Sequence, residues 1–167
     1  MNIFDNFKAI TTFVFDMDGV LTDGTLLIIK GDEWIRKMHI KDGYALQLAA
    51  RKNYNVAVLS KSNSQPVKER LAVLGVKDVF MKITDKKQKL KEYIKEKSLK
   101  PEQILYMGDD VPDFKCMQMA GLPACPADAV TDIKNISKYI SPIKGGQGCV
   151  RDVIEKVLKL HGKWELE

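Results

Sequence analysis

Two aspartates two positions apart follow a short apolar run near the start of the chain. Phe13, Val14 and Phe15 lead into Asp16, and Asp18 comes two residues later. In an extended segment residues i and i+2 point to the same side, so the two carboxylates should begin close together. Burying two like charges raises the pKa of one of them sharply. A divalent cation removes this conflict, and Mg²⁺ is often held by carboxylates together with a phosphate.

Polar residues also end two further apolar runs. NVAVLS ends in Ser60, and QILYMGD ends in Asp109, which Asp110 follows and Gly108 precedes. Strands of a parallel sheet with both faces covered read as apolar runs without strict alternation. Ligands bind such sheets beyond the carboxyl ends of the strands. Asp16, Ser60 and Asp109 are therefore expected at one site, with Gly108 allowing the backbone to turn.

Helical patterns separate these runs and predict the elements that position the polar residues. Asp42 and Ser64 stand at plausible helix starts as caps, Gly75 stops the second of these helices, and a third helical stretch follows Asp85. An amphipathic stretch near the C-terminus predicts a last helix. Alternation of strand and helix predicts an α/β fold with a doubly wound parallel sheet. The 167 residues are expected to form one domain spanning 1–167.

The stretch 23–41 breaks this alternation and predicts a β-hairpin insertion. Two extended runs flank the turn sequence KGD at 30–32. A lone hairpin is marginal in water, and this one carries the apolar residues 26–29, Trp34 and Ile35. It must pack on the body of the domain or on a neighbouring subunit, and we favour the subunit.

Composition narrows the class of protein. With 45% hydrophobic residues the chain can bury a core, and no apolar run approaches the ~20 residues of a membrane span. The N-terminal residues lack the pattern of a secretory signal. Three scattered cysteines, Cys116, Cys125 and Cys149, fit neither a disulfide framework nor a CxxC metal site. They predict reduced thiols in a cytoplasmic protein.

The net charge of +5 is concentrated in the lysine-rich segment 82–100. Its lysines alternate with apolar residues at helical spacing, which indicates a solvated helix face. Such a field is compatible with a small anionic substrate. No platform of arginine and aromatic residues for nucleic acid is visible, and aromatic residues make up only 8% of the chain.

The motifs together resemble those of the haloacid dehalogenase superfamily of phosphatases, over nearly the whole chain. FDMDGVLTDG is similar to the first motif of that family, with Asp16 as nucleophile and Asp18 as general acid and base. VLS is similar to the second, in which Ser60 hydrogen-bonds the transferring phosphoryl group. The resemblance implies an aspartyl-phosphate intermediate and phosphate-ester hydrolysis.

The third and fourth motifs complete the resemblance. TDKK places Lys86 as a cation for the phosphate and the nucleophile. GDDVPD places Asp109 on the metal and Asp113 beside Lys86, with Gly108 and Asp110 in support. The family's cofactor is Mg²⁺, and the resemblance implies that Asp16, Asp18 and Asp109 hold it.

The spacing of the motifs predicts a member without a cap domain, since the gap from Ser60 to Lys86 is too short for one and the first gap holds only the hairpin and a helix. The hairpin, KDGYAL at 41–46 and the C-terminal GGQGCVRDVIEKVL resemble capless phosphatases of sugar acid phosphates. That group includes enzymes for an eight-carbon octulosonate and for nine-carbon ulosonates. The resemblance implies a homotetramer in which neighbouring subunits help to cover each site. It also implies a small-molecule substrate. The composition predicts no nucleic acid or membrane partner.

One departure from the family's motifs leaves the identity of the substrate sugar open. The family commonly continues its second motif as Thr-Gly-Arg or Thr-Gly-Glu, but this chain reads Ser60-Lys61-Ser62. Loss of the glycine at position 61 changes the local backbone freedom. Lys61 is a point charge, whereas an arginine in this motif would be a fork. Arg70 matches a family arginine for the substrate's carboxylate, and an exposed helix charge is the competing interpretation.

Three further alternatives stand beside this hypothesis. The GGQG segment at 145–148 is either a mobile hinge that brings the C-terminal part to a site or a plain loop before the last helix. A weakly active oligomerisation module, related to domains fused to sugar-nucleotide synthetases, is a different class of function. A nucleic-acid end phosphatase is the third, permitted by a pI near 9.0.

Overall fold

A computed structural model describes residues 2–31 and 34–165. A six-stranded sheet forms its centre, with the spatial order β5-β4-β1-β6-β7-β8 and every neighbouring pair parallel. A separate antiparallel pair, β2 and β3, forms a hairpin. The strands are β1 (Thr12–Phe15), β2 (Leu27–Ile28), β3 (Trp34–Ile35), β4 (Asn55–Leu59), β5 (Asp78–Phe80), β6 (Ile104–Met107), β7 (Leu122–Cys125) and β8 (Tyr139–Ile140). The predicted α/β fold with a parallel sheet is confirmed.

Helices cover both faces of the six-stranded sheet. They are α1 (Ile3–Ala9), α2 (Ile40–Arg51), α3 (Gln65–Val73), α4 (Lys86–Glu96), α5 (Phe114–Met117), α6 (Thr131–Ile136) and α7 (Cys149–Leu160). Successive strand residues point to opposite faces. Phe13 and Phe15 therefore join the core under α1, α2, α3 and α7, while Val14 joins the core under α4, α5 and α6. None of the described helices is both long and apolar enough to cross a bilayer.

The predicted helix cap at Ser64 is confirmed, and Asp85 also caps a helix. The side chains of Ser64 and Asp85 accept backbone N–H groups in the first turns of α3 and α4, at 3.5 and 2.9 Å. The cap at Asp42 is wrong, because α2 already begins at Ile40. Asp42 is buried, and its carboxylate accepts from the backbone N–H of Arg151 at 2.8 Å. It therefore caps α7, whose own preceding residue has no side chain.

The predicted hairpin is confirmed, with Leu27 paired to Ile35 and Ile28 to Trp34. Asp32 of its predicted turn lies outside the described residues. A single antiparallel bridge between Thr22 and Met38 lies beyond the pair. The hairpin keeps much of its apolar surface in solvent, since Leu27, Ile28 and Trp34 are 61%, 69% and 52% exposed.

Candidate active site

Three adjacent strands bring their polar ends to one edge of the sheet. β1 lies between β4 and β6, with Phe15 beside Val58 on one side and Met107 on the other. The residues that follow these strands therefore meet. They line a cavity of about 250 Å³, bordered by Asp16, Asp18, Gly24, Ser60, Lys61, Ser62, Lys86, Asp109, Asp110, Pro112 and Asp113.

Lys86 joins two of these aspartates. It is the first residue of α4, and its Nζ donates to Oδ1 of Asp16 at 2.6 Å and to Oδ1 of Asp113 at 2.8 Å. The lysine is only 4% exposed. Burial by itself lowers the pKa of Lys86, but Asp113 and Asp16 outweigh that effect and raise it. The ammonium form is thus held beside the predicted nucleophile.

Asp113 is the fully buried anchor of this arrangement. Its Oδ1 also accepts from the hydroxyl of Tyr106 at 2.8 Å, and its Oδ2 accepts from the backbone N–H of Asp109 at 3.3 Å. Gly108 lies directly against it, since a Cβ on that glycine would fall 2.4 Å from the Cβ of Asp113. Close packing, and not the predicted turn, is therefore what requires glycine at this position.

The negative charges of Asp16 and Asp109 are only partly compensated by positively charged side chains. Burial, then the nearby Asp113, raises the pKa of Asp16 to about 7. Burial, then Asp16 and Asp113, raises the pKa of Asp109 to about 8. Oδ1 of Asp109 is buried and has no partner among the described residues.

This acidic cluster fits a hard divalent cation. Carboxylate oxygens of Asp16, Asp109 and Asp113 lie within 4.8 Å of one another. Lys86 supplies one positive charge against three carboxylates, and the orphaned oxygen of Asp109 lacks a donor. Mg²⁺ takes oxygen ligands of this kind, so the residues present fit that ion.

The side chain of Asp18 contacts a residue that the sequence did not predict to be near it. Its carboxylate turns to Arg36 of the hairpin, with Nε to Oδ1 at 2.7 Å and Nη2 to Oδ2 at 3.3 Å. Its side-chain oxygens are not part of the acidic cluster formed by the other aspartates. The structure therefore places Asp18 at the cavity, with its carboxylate paired to Arg36.

The remaining predicted residues divide between the cavity and the surface. Ser60 is buried at the end of β4, and its Oγ accepts from the backbone N–H of Ser62. Lys61 lines the cavity, as does Asp110, which caps a short 3₁₀ turn through the N–H of Val111.

Arg70 lies outside this cavity. It is an exposed residue of α3 whose guanidinium lies near α2, 3.2 Å from where a Cβ on Gly43 would be. A role in binding substrate stays a prediction for Arg70.

The glycine segment at 145–148 packs against the loop that follows Asp16. The N–H of Gly146 donates to the carbonyl of Val20 at 2.9 Å, and the N–H of Gly145 donates to Oδ1 of Asp128 at 2.9 Å. A Cβ on Gly146 would lie 2.3 Å from the backbone nitrogen of Asp23. In this structure the segment is a packed connection to α7, and the hinge interpretation gains no support.

Two residues of the site were missed by sequence reasoning. Tyr106 gives a weak signal, because a tyrosine inside a buried strand must find a partner for its hydroxyl. Burial, then the neighbouring Asp113, raises the pKa of Tyr106 well above its usual value, so it stays a hydrogen-bond donor. Arg36 gives no signal of its own, since a charged residue in a hairpin is ordinary.

Comparison with known proteins places the chain. A family model described as haloacid dehalogenase-like hydrolase matches residues 43–127. The 3-deoxy-D-manno-octulosonate 8-phosphate phosphatase of Haemophilus influenzae is 32% identical over 159 residues, covering 95% of this chain and 87% of that protein. The Salmonella typhi enzyme of the same name is 30% identical over 156 residues, covering 93% and 83%.

A solved structure that is similar to this chain belongs to an enzyme with the same name as those relatives. The enzyme of that name from Moraxella catarrhalis, in complex with magnesium, phosphate and KDO, superposes with a TM-score of 0.90 at 28% identity. The match covers 95% of this chain and 91% of that one. The chain belongs to the haloacid dehalogenase-like hydrolases.

Proposed function

We propose that this protein is a Mg²⁺-dependent phosphatase that hydrolyses 3-deoxy-D-manno-octulosonate 8-phosphate through an aspartyl-phosphate intermediate. The observation that carries the proposal is the contact of Lys86 with both Asp16 and Asp113, beside the orphaned carboxylate oxygen of Asp109. This arrangement offers a nucleophile, a fixed cation and a cation site within one cavity. The relatives that match over most of the chain carry that substrate in their name.

The side chains can divide the reaction between them. An oxygen of Asp16 attacks phosphorus, and Asp18 gives a proton to the alkoxide as its bond to phosphorus breaks. Asp18 then takes a proton from the water that hydrolyses the acyl phosphate, which regenerates Asp16. Lys86 and Ser60 donate to the equatorial oxygens throughout.

Mg²⁺ bound at the acidic cluster would supply Lewis-acid stabilisation of the phosphoryl oxygens. The carboxylates of Asp16 and Asp109 are the side chains with oxygen atoms to spare for it, because those of Asp113 are already hydrogen-bonded. Asp18 remains a proposed ligand, although its carboxylate contacts Arg36 in this structure.

A nine-carbon ulosonate 9-phosphate is the second candidate substrate. This candidate is supported by the position of Lys61, which lines the cavity and stands where the family's motif commonly has glycine. A different side chain at the mouth of the cavity changes which sugar fits, and it leaves the reaction at phosphorus the same.

We further propose a homo-oligomer, with four subunits as the expected number, assembled through the hairpin. The apolar residues Leu27, Ile28 and Trp34 are mostly in solvent, and association would bury them. A cytoplasmic location is proposed from the three cysteines, which are all buried and free.

Phosphate release from a panel of substrates tests the function. The panel holds 3-deoxy-octulosonate 8-phosphate, nine-carbon ulosonate 9-phosphates, hexose phosphates and a 3′-phosphorylated oligonucleotide, each with Mg²⁺ and with excess chelator. We expect a Mg²⁺-dependent preference of ~100-fold in kcat/KM for one sugar acid, or about 2.7 kcal/mol. Asp16→Asn, purified identically, reports contaminating phosphatases. Uniformly feeble turnover would overturn the proposal in favour of an oligomerisation module.

A further inference from the structure

The contact between Asp18 and Arg36 joins the active-site loop to the hairpin. Arg36 follows β3 directly and lies 18 positions after Asp18 in the chain. Two N–H groups of its guanidinium meet the two carboxylate oxygens, at 2.7 and 3.3 Å. This paired geometry restrains a carboxylate in orientation as well as in distance.

The arginine of this pair is the more buried partner. The side chain of Arg36 is 2% exposed, whereas that of Asp18 is 29% exposed. Within residues 2–31 and 34–165, Asp18 is the one carboxylate within 4.0 Å of that guanidinium. Burying an ion pair contributes little net stability, because both charges lose their water. Stabilisation of the hairpin is therefore a weak explanation for a buried arginine at this point.

Nothing else in the described part of the chain orients the carboxylate of Asp18. Its hydrogen bonds are those to Arg36 alone. The backbone next to it is not regular, because Asp18 is extended and Gly19 has a φ of +87°. A carboxylate offers about four acceptor positions, so the arginine leaves part of the group free to face the cavity. Arg36 thus fixes the carboxylate without blocking it.

We propose that Arg36 is a positioning residue, which holds Asp18 in place for proton transfer and so makes the hairpin part of the active site. The inference rests on the proposed phosphatase function. A general acid must lie within ~2.6–3.2 Å of the leaving oxygen, and a displacement of ~1 Å can lower the rate by about 100-fold. The loss should depend on the leaving group. An alkoxide needs the proton from Asp18 as the phosphorus–oxygen bond breaks, whereas p-nitrophenolate departs without one.

The test compares kcat/KM for two substrates in Arg36→Gln and Arg36→Lys, because kcat/KM reports formation of the acyl phosphate. The substrates are the preferred sugar acid phosphate and p-nitrophenyl phosphate. For Arg36→Gln we expect a loss of ~100-fold on the sugar phosphate and of ~5-fold or less on p-nitrophenyl phosphate. Arg36→Lys should recover part of the sugar phosphate activity, since lysine keeps the charge and loses the fork.

Lys37→Gln serves as the matched control. Lys37 is the next residue of the chain and pairs with Asp23 at 3.4 Å, with its side chain 82% exposed. We expect it to behave as the unmodified protein on both substrates. Thermal unfolding measures the folded fraction of each variant, and the rates are corrected by that fraction.

The remaining outcomes each decide the question. Equal losses on both substrates, with no recovery in Arg36→Lys, would overturn the inference and leave Arg36 a structural residue. A rise in KM restricted to substrates with a carboxylate would overturn it in favour of direct substrate binding. Absence of phosphatase activity from the unmodified protein would instead refute the proposed function.

Discussion

Gly145 lies in direct contact with Gly19, although the two are far apart in the chain. A Cβ on Gly145 would fall 1.8 Å from the carbonyl oxygen of Gly19. Gly19 in turn lies over the acidic cluster, because a Cβ there would fall 1.9 Å from Oδ2 of Asp109. Three segments are thus in contact in series: the segment before α7, the loop after β1 and the aspartate after β6.

Gly145→Ala should weaken metal binding and turnover together. The added methyl group pushes Gly19 towards Asp109, and a shift of ~1 Å at the site can lower kcat by about 100-fold. Calorimetric titration with Mg²⁺ and steady-state kinetics would measure the two effects. Gly121→Ala is the matched control, because its Cβ would lie 2.5 Å from the Cα of Glu102 and would not touch the cavity residues. Unchanged Mg²⁺ affinity in Gly145→Ala would contradict the expectation.

Asp16→Asn should abolish turnover and stabilise the metal-free protein. Loss of the nucleophile is expected to lower kcat by at least ~1000-fold. The substitution also removes a charge whose ionisation is opposed by burial and by Asp113. Melting temperatures in excess chelator should therefore be higher for Asp16→Asn than for the unmodified chain. Persisting Mg²⁺-dependent turnover would refute the assignment of Asp16.

Lys86→Met should destabilise the protein as well as inactivate it. The variant leaves Asp113, which is fully buried, without its cation. Removing one partner of a buried ion pair typically costs about 3–5 kcal/mol. Urea denaturation would measure the loss. The double variant Lys86→Met with Asp113→Asn should recover part of it, and a double variant no more stable than Lys86→Met would argue against the pair as the cause.

Stability without metal should fall as the pH rises from about 4 to about 8. Burial raises the pKa of Asp16 to about 7 and of Asp109 to about 8, above their values in the unfolded chain. In this window the folded state binds more protons, so deprotonation favours unfolding. Bound Mg²⁺ competes with those protons and should raise the melting temperature more at about pH 8 than at about pH 6. Melting curves at both values, with Mg²⁺ and with chelator, measure this, and an equal shift at both would contradict it.

Ile28→Asp should disrupt the proposed oligomer without unfolding the subunit. Ile28 is 69% exposed on the hairpin, so the charge meets solvent in a monomer but would be buried at an interface. Val73→Asp, at a position of α3 that is 72% exposed, is the matched control and should keep the assembly. Light scattering after size exclusion would measure the mass. A mass for Ile28→Asp equal to that of the unmodified protein would place the interface elsewhere.

Local sequence predicted the parts of the site that lie at strand ends. Apolar runs located β1, β4 and β6, and the residues that follow them meet because neighbouring parallel strands end at one edge. Strands β5, β7 and β8 were not predicted. β5 and β8 have only three and two residues, and β7 contains Pro123, a residue that is uncommon inside strands. The helix α5 is only four residues long, and a 3₁₀ turn at Val111–Asp113 precedes it.

Contacts between distant segments were decided by the tertiary structure alone. The i, i+2 rule applies to a continuous strand, and β1 ends at Phe15, just before Asp16. The chain then turns, and Arg36 of the hairpin takes the carboxylate of Asp18.

The amino-acid sequence by itself determined which strand ends present polar residues, and it predicted that these residues carry the chemistry. Residue type and hydrophobic period are local properties that fold into predictable elements. Three contacts were decided only by the tertiary structure. Gly145 packs on Gly19, the hydroxyl of Tyr106 donates to Asp113, and the guanidinium of Arg36 pairs with Asp18. Each depends on the relative placement of elements that are separated in the chain or on opposite sides of a turn, and no local pattern encodes that placement.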